Sequence, residues 1–238
     1  MKLRVATYNI RNGDADDGPN SWSFRKELTV ECIRDLDASI IGLQEVMSYQ
    51  LDYIMDALPD YAFLGVGRID GAKEGEFAPI LYRKAELQPS DAGWFMLSET
   101  PEVPGSTSWN TACERICTWA DFGGLNVFNT HLDHISKGAR SKGIELILSR
   151  IKGNALVMGD FNACPGDVPV QKMIEAGFAD ACAGGDTFTF HDWGRADGGR
   201  IDYIFGQGVI VSDGTVHAGA RNGRHGSDHF PVSALIEY

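Results

Sequence analysis

The chain has 238 residues, with 33 acidic and 21 basic side chains and a formal net charge of −12 at pH 7. Its content of 43% hydrophobic and 23% charged residues is that of a globular protein able to bury a large core. General DNA and RNA binders depend on Lys and Arg contacts to phosphates, so this composition disfavours that class. A small phosphorylated ligand, bound locally, fits the charge better.

The five cysteines are odd in number and irregularly spaced, which predicts reduced thiols and not a disulfide framework. The apolar stretch at the start is too short and too polar for a signal peptide, and no apolar run approaches the length of a membrane span. We therefore expect a cytoplasmic protein without stable membrane insertion. Neither a repeat nor a linker divides the chain, so residues 1–238 are expected to form one domain. The sequence does not indicate an oligomeric state.

Hydrophobic patterning predicts strands and helices along the whole chain. The predicted elements of the first part are a strand at 3–9, a helix at 22–36, a strand at 38–43, a helix at 47–58 and strands at 61–66 and 77–82. Those of the second part are strands at 113–122 and 125–130, a helix at 136–151 and strands at 155–158, 201–205, 209–216 and 230–236. The proline-containing span between residues 82 and 113 is expected to be a long surface excursion.

The first helix is predicted from apolar residues that recur four positions apart, with Ser21 or Ser23 as its cap. These residues, which would face the core, are Phe24, Leu28, Cys32 and Leu36.

Polar residues with short side chains or imidazoles repeatedly follow a predicted strand or lie at its end. They are Asn9, Glu45, His131, Asp160, Asn162, Asp202, Asp228 and His229. Each one alone is more often a turn or cap residue. Together, in packed sheets, they would meet at one edge, where their oxygens suit Mg²⁺. The histidines suit proton transfer and phosphate contact near neutral pH.

Six motifs spread over residues 3–236 resemble those of the endonuclease/exonuclease/phosphatase superfamily, which includes deoxyribonuclease I, abasic-site endonucleases, inositol polyphosphate 5-phosphatases, neutral sphingomyelinases and deadenylases. In chain order they are Thr-Tyr-Asn-Ile-Arg at 7–11, Gly-Leu-Gln-Glu-Val at 42–46, Asn-Thr-His-Leu-Asp-His at 129–134, Gly-Asp-Phe-Asn at 159–162, Arg-Ile-Asp-Tyr-Ile at 200–204 and Ser-Asp-His-Phe-Pro-Val at 227–232. The resemblance implies a four-layer α/β/β/α sandwich like that of deoxyribonuclease I, with two mainly antiparallel sheets flanked by helices.

The resemblance also implies a role for each matched residue. A bound Mg²⁺ (or Mn²⁺) would be held by Glu45, Asn9 and Asp228. The implied catalytic set is Asp160 for the attacking water, Asn162 and His229 for the phosphate, Asp202 in support, His131, and Glu76 as the carboxylate that pairs with that histidine in deoxyribonuclease I. Arg11 departs from abasic-site endonucleases, which carry Asp in the first motif, and this disfavours a repair nuclease.

Three arginines and two tryptophans outside the motifs are candidates for substrate binding. A guanidinium matches phosphate geometry, and an aromatic ring can line a pocket. The candidates are Arg115, Arg68, Arg140, Trp94 and Trp109.

The function expected from these residues is metal-dependent hydrolysis of a phosphoester by in-line water attack. The acidic charge favours a small-molecule or lipid-headgroup phosphodiesterase or phosphatase. A nuclease acting on DNA or RNA is the alternative, and a non-catalytic binding protein that retains the fold is the second alternative.

Overall fold

A computed structural model describes residues 1–185, 187–196 and 198–238, and within these residues it has twelve strands in two six-stranded sheets and four α-helices. In chain order the strands are β1 (Lys2–Asn9), β2 (Ile40–Gln44), β3 (Tyr61–Leu64), β4 (Ile80–Arg83), β5 (Asp91–Met96), β6 (Ile116–Asp121), β7 (Leu125–His131), β8 (Asn154–Asp160), β9 (Ala179–Asp180), β10 (Asp202–Gln207), β11 (Ile210–Val216) and β12 (Val232–Glu237). The strand orders are β11-β12-β1-β2-β4-β3 and β5-β6-β7-β8-β10-β9.

The helices cover the outer faces of the two sheets. They are α1 (Trp22–Asp35), α2 (Ser48–Ala57), α3 (Lys137–Arg150) and α4 (Val168–Glu175). Side chains of β1 alternate between the two faces of its sheet, as the pleat requires. Val5 belongs to the core between the sheets, whereas Ala6 and Tyr8 pack in the core formed with α1 and α2. A third core joins α3 and α4 to the second sheet, so the layer order is α/β/β/α.

The strand register gathers the polar strand ends at one edge of the sandwich. In the parallel pair β1–β2, Asn9 lies opposite Gln44, the residue before Glu45. In the parallel pair β7–β8, His131 lies opposite Asp160, and antiparallel β10 places Asp202 opposite the same Asp160. The polar ends of strands from both sheets therefore lie at the same edge of the sandwich.

Buried hydrogen bonds join the two sheets directly beneath this edge. The Gln44 amide nitrogen donates to Thr7 Oγ1 at 2.9 Å and, across the interface, to Asn129 Oδ1 at 2.7 Å. Asn129 in turn donates to the Leu43 carbonyl oxygen at 2.8 Å. Gly42 leaves the space that Asn129 fills, since a Cβ there would lie 2.6 Å from Asn129 Oδ1. These bonds fix the sheets relative to each other below the site.

The layered architecture that the motifs implied is confirmed, two local expectations are wrong, and two elements were missed. The span between residues 82 and 113 is not only a surface excursion, because β5 lies within it and pairs with β6 along the edge of the second sheet. Helix α4 and the two-residue strand β9 were not predicted. On α1, Phe24 is exposed, and its neighbour Arg25 is buried instead. Among the residues that the structure describes, no helix combines the length and the apolar composition needed to cross a bilayer.

Candidate active site

A cavity of about 960 Å³ opens at the edge where the strand ends meet. One wall carries carboxylates and the other carries basic side chains. The carboxylate wall includes Glu45, Asp160, Asp228 and His229, and the basic wall includes Arg68, Arg115, His131 and His134.

Glu45 is placed by an abrupt turn at the end of β2. Its φ of 61° lies in the left-handed region, which costs a non-glycine residue roughly 1 kcal/mol or more. The turn directs its carboxylate to two donors: Asn9 Nδ2 at 2.9 Å and the Asn12 backbone N–H at 2.8 Å. Burial opposes ionisation of Glu45, but these hydrogen bonds outweigh it and lower its pKa. The group is therefore an anion at neutral pH.

Asn9 connects the two principal carboxylates. Its Nδ2 donates to Glu45 and also to Asp160 Oδ2 at 3.0 Å, while its Oδ1 accepts the Arg11 backbone N–H. In this arrangement Asn9 holds Glu45 and Asp160 through its amide nitrogen. Its expected part as a metal ligand stays a prediction.

Asp160 lies at the centre of the site. Its Oδ1 accepts the Asn162 backbone N–H at 2.8 Å, and its Oδ2 lies 3.4 Å from His131 Nε2 and 3.8 Å from His229 Nε2. Burial, followed by the negative charge of Asp202, raises the pKa of Asp160 to about 7. A carboxyl group with such a pKa exchanges protons near neutrality, as a general base must.

His229 is held by Asp202. Its Nδ1 lies 2.9 Å from Asp202 Oδ2, which leaves Nε2 directed at Asp160. Burial disfavours the charged imidazolium, but the carboxylates of Asp202, Asp160 and Asp228 outweigh it and raise the pKa of His229 to about 10. His229 is therefore a cationic donor at neutral pH.

His131 and Asn162 form the other side of the centre. Asn162, at a left-handed φ of 47°, brings its Nδ2 to 2.9 Å from His131 Nε2 and to 3.0 Å from the Leu132 carbonyl oxygen. Burial, then the positive charges of Arg115 and Arg68, hold the pKa of His131 well below its usual value. His131 is accordingly neutral, in contrast to His229.

Glu76 lies in the cavity wall but does not pair with His131. Its carboxylate accepts Asn12 Nδ2 at 2.7 Å and forms an ion pair with Arg68 Nη1. His131 Nδ1 has no hydrogen-bond partner among the described residues. Glu76 therefore pairs with Arg68, which lies in the same loop at 67–76, and not with His131 as the resemblance to deoxyribonuclease I implied.

Of the five candidate substrate-binding residues, Arg68 and Arg115 line the cavity and three lie elsewhere in the described chain. Arg140 is buried on α3, where its Nη1 donates to the Asp133 carbonyl oxygen at 2.7 Å. Trp94 packs against the small cluster around Ile116. The Trp109 indole lies 3.3 Å from Glu99. Structural contacts occupy all three side chains.

Arg25 supports the site from beneath and was missed because it lies on the inner face of α1. Its guanidinium donates to the carbonyl oxygens of Ile10, Arg11 and Gly226 at 2.7, 2.8 and 3.0 Å. It thereby ties the first motif to the segment before Ser227. A charged residue within an apolar helix face was the available signal.

The donor set fits a hard divalent cation. Asp160, Asp202 and Asp228 are buried and Glu45 is half-buried, and the cationic partners at this wall are His229 and Arg11, whose Nε lies 3.7 Å from Asp228 Oδ2. The negative charges outnumber the positive ones, and Asp202 Oδ1 has no hydrogen-bond partner among the described residues. Carboxylate oxygens with such an excess of charge are what Mg²⁺ or Mn²⁺ requires. Glu45 with His131 and Asp160 is one group of suitable atoms, since these lie within 4.8 Å of one another.

Comparison with known proteins agrees with this geometry. Residues 6–229 match the sequence model of the endonuclease/exonuclease/phosphatase family. The chain belongs to this family and has its deoxyribonuclease I-like fold. Members are hydrolases that act on phosphoester bonds.

Solved structures with the same fold match this chain over nearly its whole length. An endonuclease/exonuclease/phosphatase protein from Bacteroides vulgatus is 34% identical with a TM-score of 0.93, over 100% of this chain and 99% of that one. A mannosyl-6-phosphatase from Bacteroides thetaiotaomicron is 32% identical with a TM-score of 0.86, over 99% of this chain and 100% of that one. The human Nocturnin catalytic domain, at 17% identity, TM-score 0.77 and coverage of 99% and 94%, shares the fold. No curated protein gives a significant sequence match.

Proposed function

We propose that the protein is a divalent-metal-dependent phosphohydrolase that releases phosphate or a phosphate ester from a small phosphorylated molecule. The observation that carries the proposal is the joint geometry of Asp160 and His229. A carboxyl group able to take a proton near pH 7 lies 3.8 Å from a cationic imidazole, at the base of an open cavity. Such pairs of perturbed groups mark acid–base sites.

In the reaction we propose, Asp160 accepts a proton from a water molecule as the water oxygen forms a bond to phosphorus. The bond between phosphorus and the leaving oxygen breaks in line, and the leaving oxygen takes up a proton. His229 donates a hydrogen bond to a phosphoryl oxygen as negative charge grows on it. Asn162 donates to a second phosphoryl oxygen by giving up its contact with His131 Nε2. Asp202 keeps His229 oriented and protonated. The products are an alcohol and the phosphate group that carries the water oxygen.

Glu45 and Asp228 would hold Mg²⁺ or Mn²⁺. Asn9 would keep the Glu45 carboxylate in place, since its amide nitrogen donates to both Glu45 and Asp160. When bound, the cation supplies charge neutralisation at the phosphate and at the departing oxygen.

The cavity wall favours a small substrate over a nucleic acid. Asp14, Asp167 and Asp192 line the same cavity, and the chain as a whole carries a net charge of −12. These carboxylates repel a polyanion more strongly than a molecule with a single phosphate group. The similarity to a bacterial mannosyl-6-phosphatase supports a small phosphorylated substrate, with a sugar phosphate as the first compound to test.

The test is a hydrolysis panel of sugar phosphates, nucleotides, lipid headgroup phosphodiesters and oligonucleotides, each measured with Mg²⁺ or Mn²⁺ and with EDTA. We expect metal-dependent turnover of small phosphoesters, with oligonucleotides the poorer substrates. Faster, salt-sensitive cleavage of oligonucleotides or plasmid would instead support the nuclease. A protein that binds no divalent cation at millimolar concentration and turns over nothing would support the non-catalytic alternative.

A further inference from the structure

The Arg115 guanidinium is buried in the cavity wall with most of its donors unpaired. The residue is 4% exposed and lies directly before β6. Its Nη2 lies 2.9 Å from His134 Nδ1. Its Nε and Nη1 have no hydrogen-bond partner among the described residues, and Nε is 3.7 Å from Asp133 Oδ2, beyond hydrogen-bond reach. Buried donors without partners are uncommon in folded proteins. Among the described residues several arginines have an unpaired Nε, but Arg115 has two unpaired guanidinium nitrogens and also lines the cavity.

Asp133 forms an ion pair with Arg115 but lies beyond hydrogen-bond reach of its Nε, and backbone N–H groups hold the Asp133 carboxylate in place. Asp133 Oδ1 accepts the backbone N–H groups of Ile135 and Ser136, and its Oδ2 accepts that of Ala112. The Arg68 guanidinium lines the same wall and is paired with Glu76. Two guanidinium groups and two histidines thus line the same cavity as the carboxylates. Of the two guanidinium groups, Arg115 is the one with two nitrogens unpaired within the described chain, which an anion could use.

A metal at the same wall is the rival interpretation. Donor atoms of Cys113, Asp133 and His134 lie within 4.8 Å of one another. However, the Asp133 oxygens already accept three backbone N–H groups, and Arg115 occupies His134 Nδ1. The fixed positive charge of Arg115 opposes a second cation there, so the arrangement favours an anion.

We propose that Arg115, assisted by Arg68, binds the additional unesterified oxygen of a phosphomonoester and makes the site selective for monoesters over diesters. This inference rests on the proposed function and specifies its substrate class. A monoester presents three non-bridging oxygens and close to two negative charges near neutral pH, whereas a diester presents two such oxygens and one charge. The third oxygen pairs the free N–H groups of Arg115 by charge-assisted hydrogen bonds. In a diester an ester group replaces that oxygen and leaves the guanidinium unpaired.

The kinetic test compares two esters with the same leaving group, 4-nitrophenyl phosphate and methyl 4-nitrophenyl phosphate. The wild-type protein should prefer the monoester. In Arg115→Gln, we expect kcat/KM to fall by about 100-fold for the monoester and by less than about 3-fold for the diester, on the scale of one lost transition-state donor. Arg115→Lys keeps the charge without the planar donor set, so it should lie between the two. Arg34→Gln removes an exposed arginine of α1 and is the control for net charge.

A binding test on metal-free protein in EDTA is independent of turnover. Inorganic phosphate should raise the melting temperature more than dimethyl phosphate does, and increasingly so as the pH rises and phosphate loses its second proton. Arg115→Gln should abolish this difference while unfolding cooperatively. Arg115→Met, which fills the same space without donors, gives the same measurement if the Gln variant does not fold.

The outcomes separate this inference from the proposed function. Equal losses on both esters in Arg115→Gln, or a wild-type preference for the diester, overturn the Arg115 inference and leave the phosphohydrolase intact. A wild-type protein that binds phosphate no better than dimethyl phosphate also overturns it. If neither these esters nor any phosphoester of the hydrolysis panel is hydrolysed at any metal concentration, the proposed function fails. A phosphate-dependent stabilisation that is lost in Arg115→Gln would still support the anion site.

Discussion

The two walls of the cavity satisfy their polar groups in opposite ways. On the carboxylate wall, Asn9 hydrogen-bonds to Asp160 and His229 hydrogen-bonds to Asp202, with 3.8 Å between His229 and Asp160, and the wall keeps an excess of negative charge. On the basic wall, Arg115 is buried with Nε and Nη1 unpaired. We propose that the first wall binds a cation and that the second binds an anion. A metal-bound phosphate supplies both, and each prediction below separates the walls or tests their difference.

Loss of the central carboxylate should have the largest effect. Asp160→Asn keeps the shape of the side chain but removes the group proposed to accept the proton of water. We expect kcat to fall by about 1,000-fold or more, within the range of general acid–base catalysis. Phosphate release under saturating substrate measures it, and circular dichroism checks the fold. A loss of less than tenfold would move the base elsewhere.

Asp202→Asn tests whether the Asp202 carboxylate orients His229 and keeps it protonated. Removing this carboxylate should lower kcat by about 10–100-fold, as outer partners of a site do. The pKa of His229, raised to about 10 by the surrounding carboxylates, should also fall. Because we propose that the protonated form is active, the alkaline limb of the pH–rate profile should move to lower pH. An unchanged limb would show that His229 acts without its proton.

The pH dependence of stability provides a smaller effect in metal-free protein. Asp160 has its pKa raised to about 7 by burial and by Asp202, against an ordinary value of about 3.9. Between these values the folded state holds more protons than the unfolded state, so the free energy of unfolding falls as pH rises through this window. Asp160→Asn should remove that part of the decline. Urea denaturation in EDTA at pH 5 and pH 7.5 measures it, and identical slopes in both proteins would contradict it.

Trp109 should show the smallest effect, because it lies outside both walls. Its indole lies near Glu99, and the residue is half-buried on the loop after β5. Trp109→Phe should change kcat/KM by less than about 2-fold, as for surface substitutions away from a site. A tenfold loss of kcat/KM would instead show that Trp109 contributes to substrate binding, as the sequence analysis expected.

The carboxylate wall could be predicted from the sequence because strand ends determine it. Parallel neighbours such as β1 and β2 end at the same edge, so Asn9 and Glu45 must approach each other whatever the loops do. The pair His131 and Asp160 follows the same rule on β7 and β8. What this rule does not give is the direction of the Asn9 amide, which depends on its neighbours.

The basic wall could not be predicted because loops build it. Arg68, Arg115 and Arg140 were equal candidates in the sequence. Only the folded chain shows that Arg140 donates to the Asp133 carbonyl oxygen outside the cavity lining, while Arg115 lines the cavity with Nε and Nη1 unpaired. The same limit applies to Arg25, which tertiary contacts bury where periodicity predicted an apolar face. Periodicity identifies a buried face but not a buried charge with backbone partners.

The most direct test of the account is a metal titration of wild-type protein and Glu45→Gln, with 4-nitrophenyl phosphate as substrate. The substitution keeps the size of Glu45 and removes its charge from the carboxylate wall. We predict that EDTA abolishes wild-type activity, that Mg²⁺ or Mn²⁺ restores it, and that Glu45→Gln requires far more metal for a lower maximum rate. Activity that persists in EDTA and is unchanged in Glu45→Gln would contradict a metal-dependent phosphohydrolase at this site.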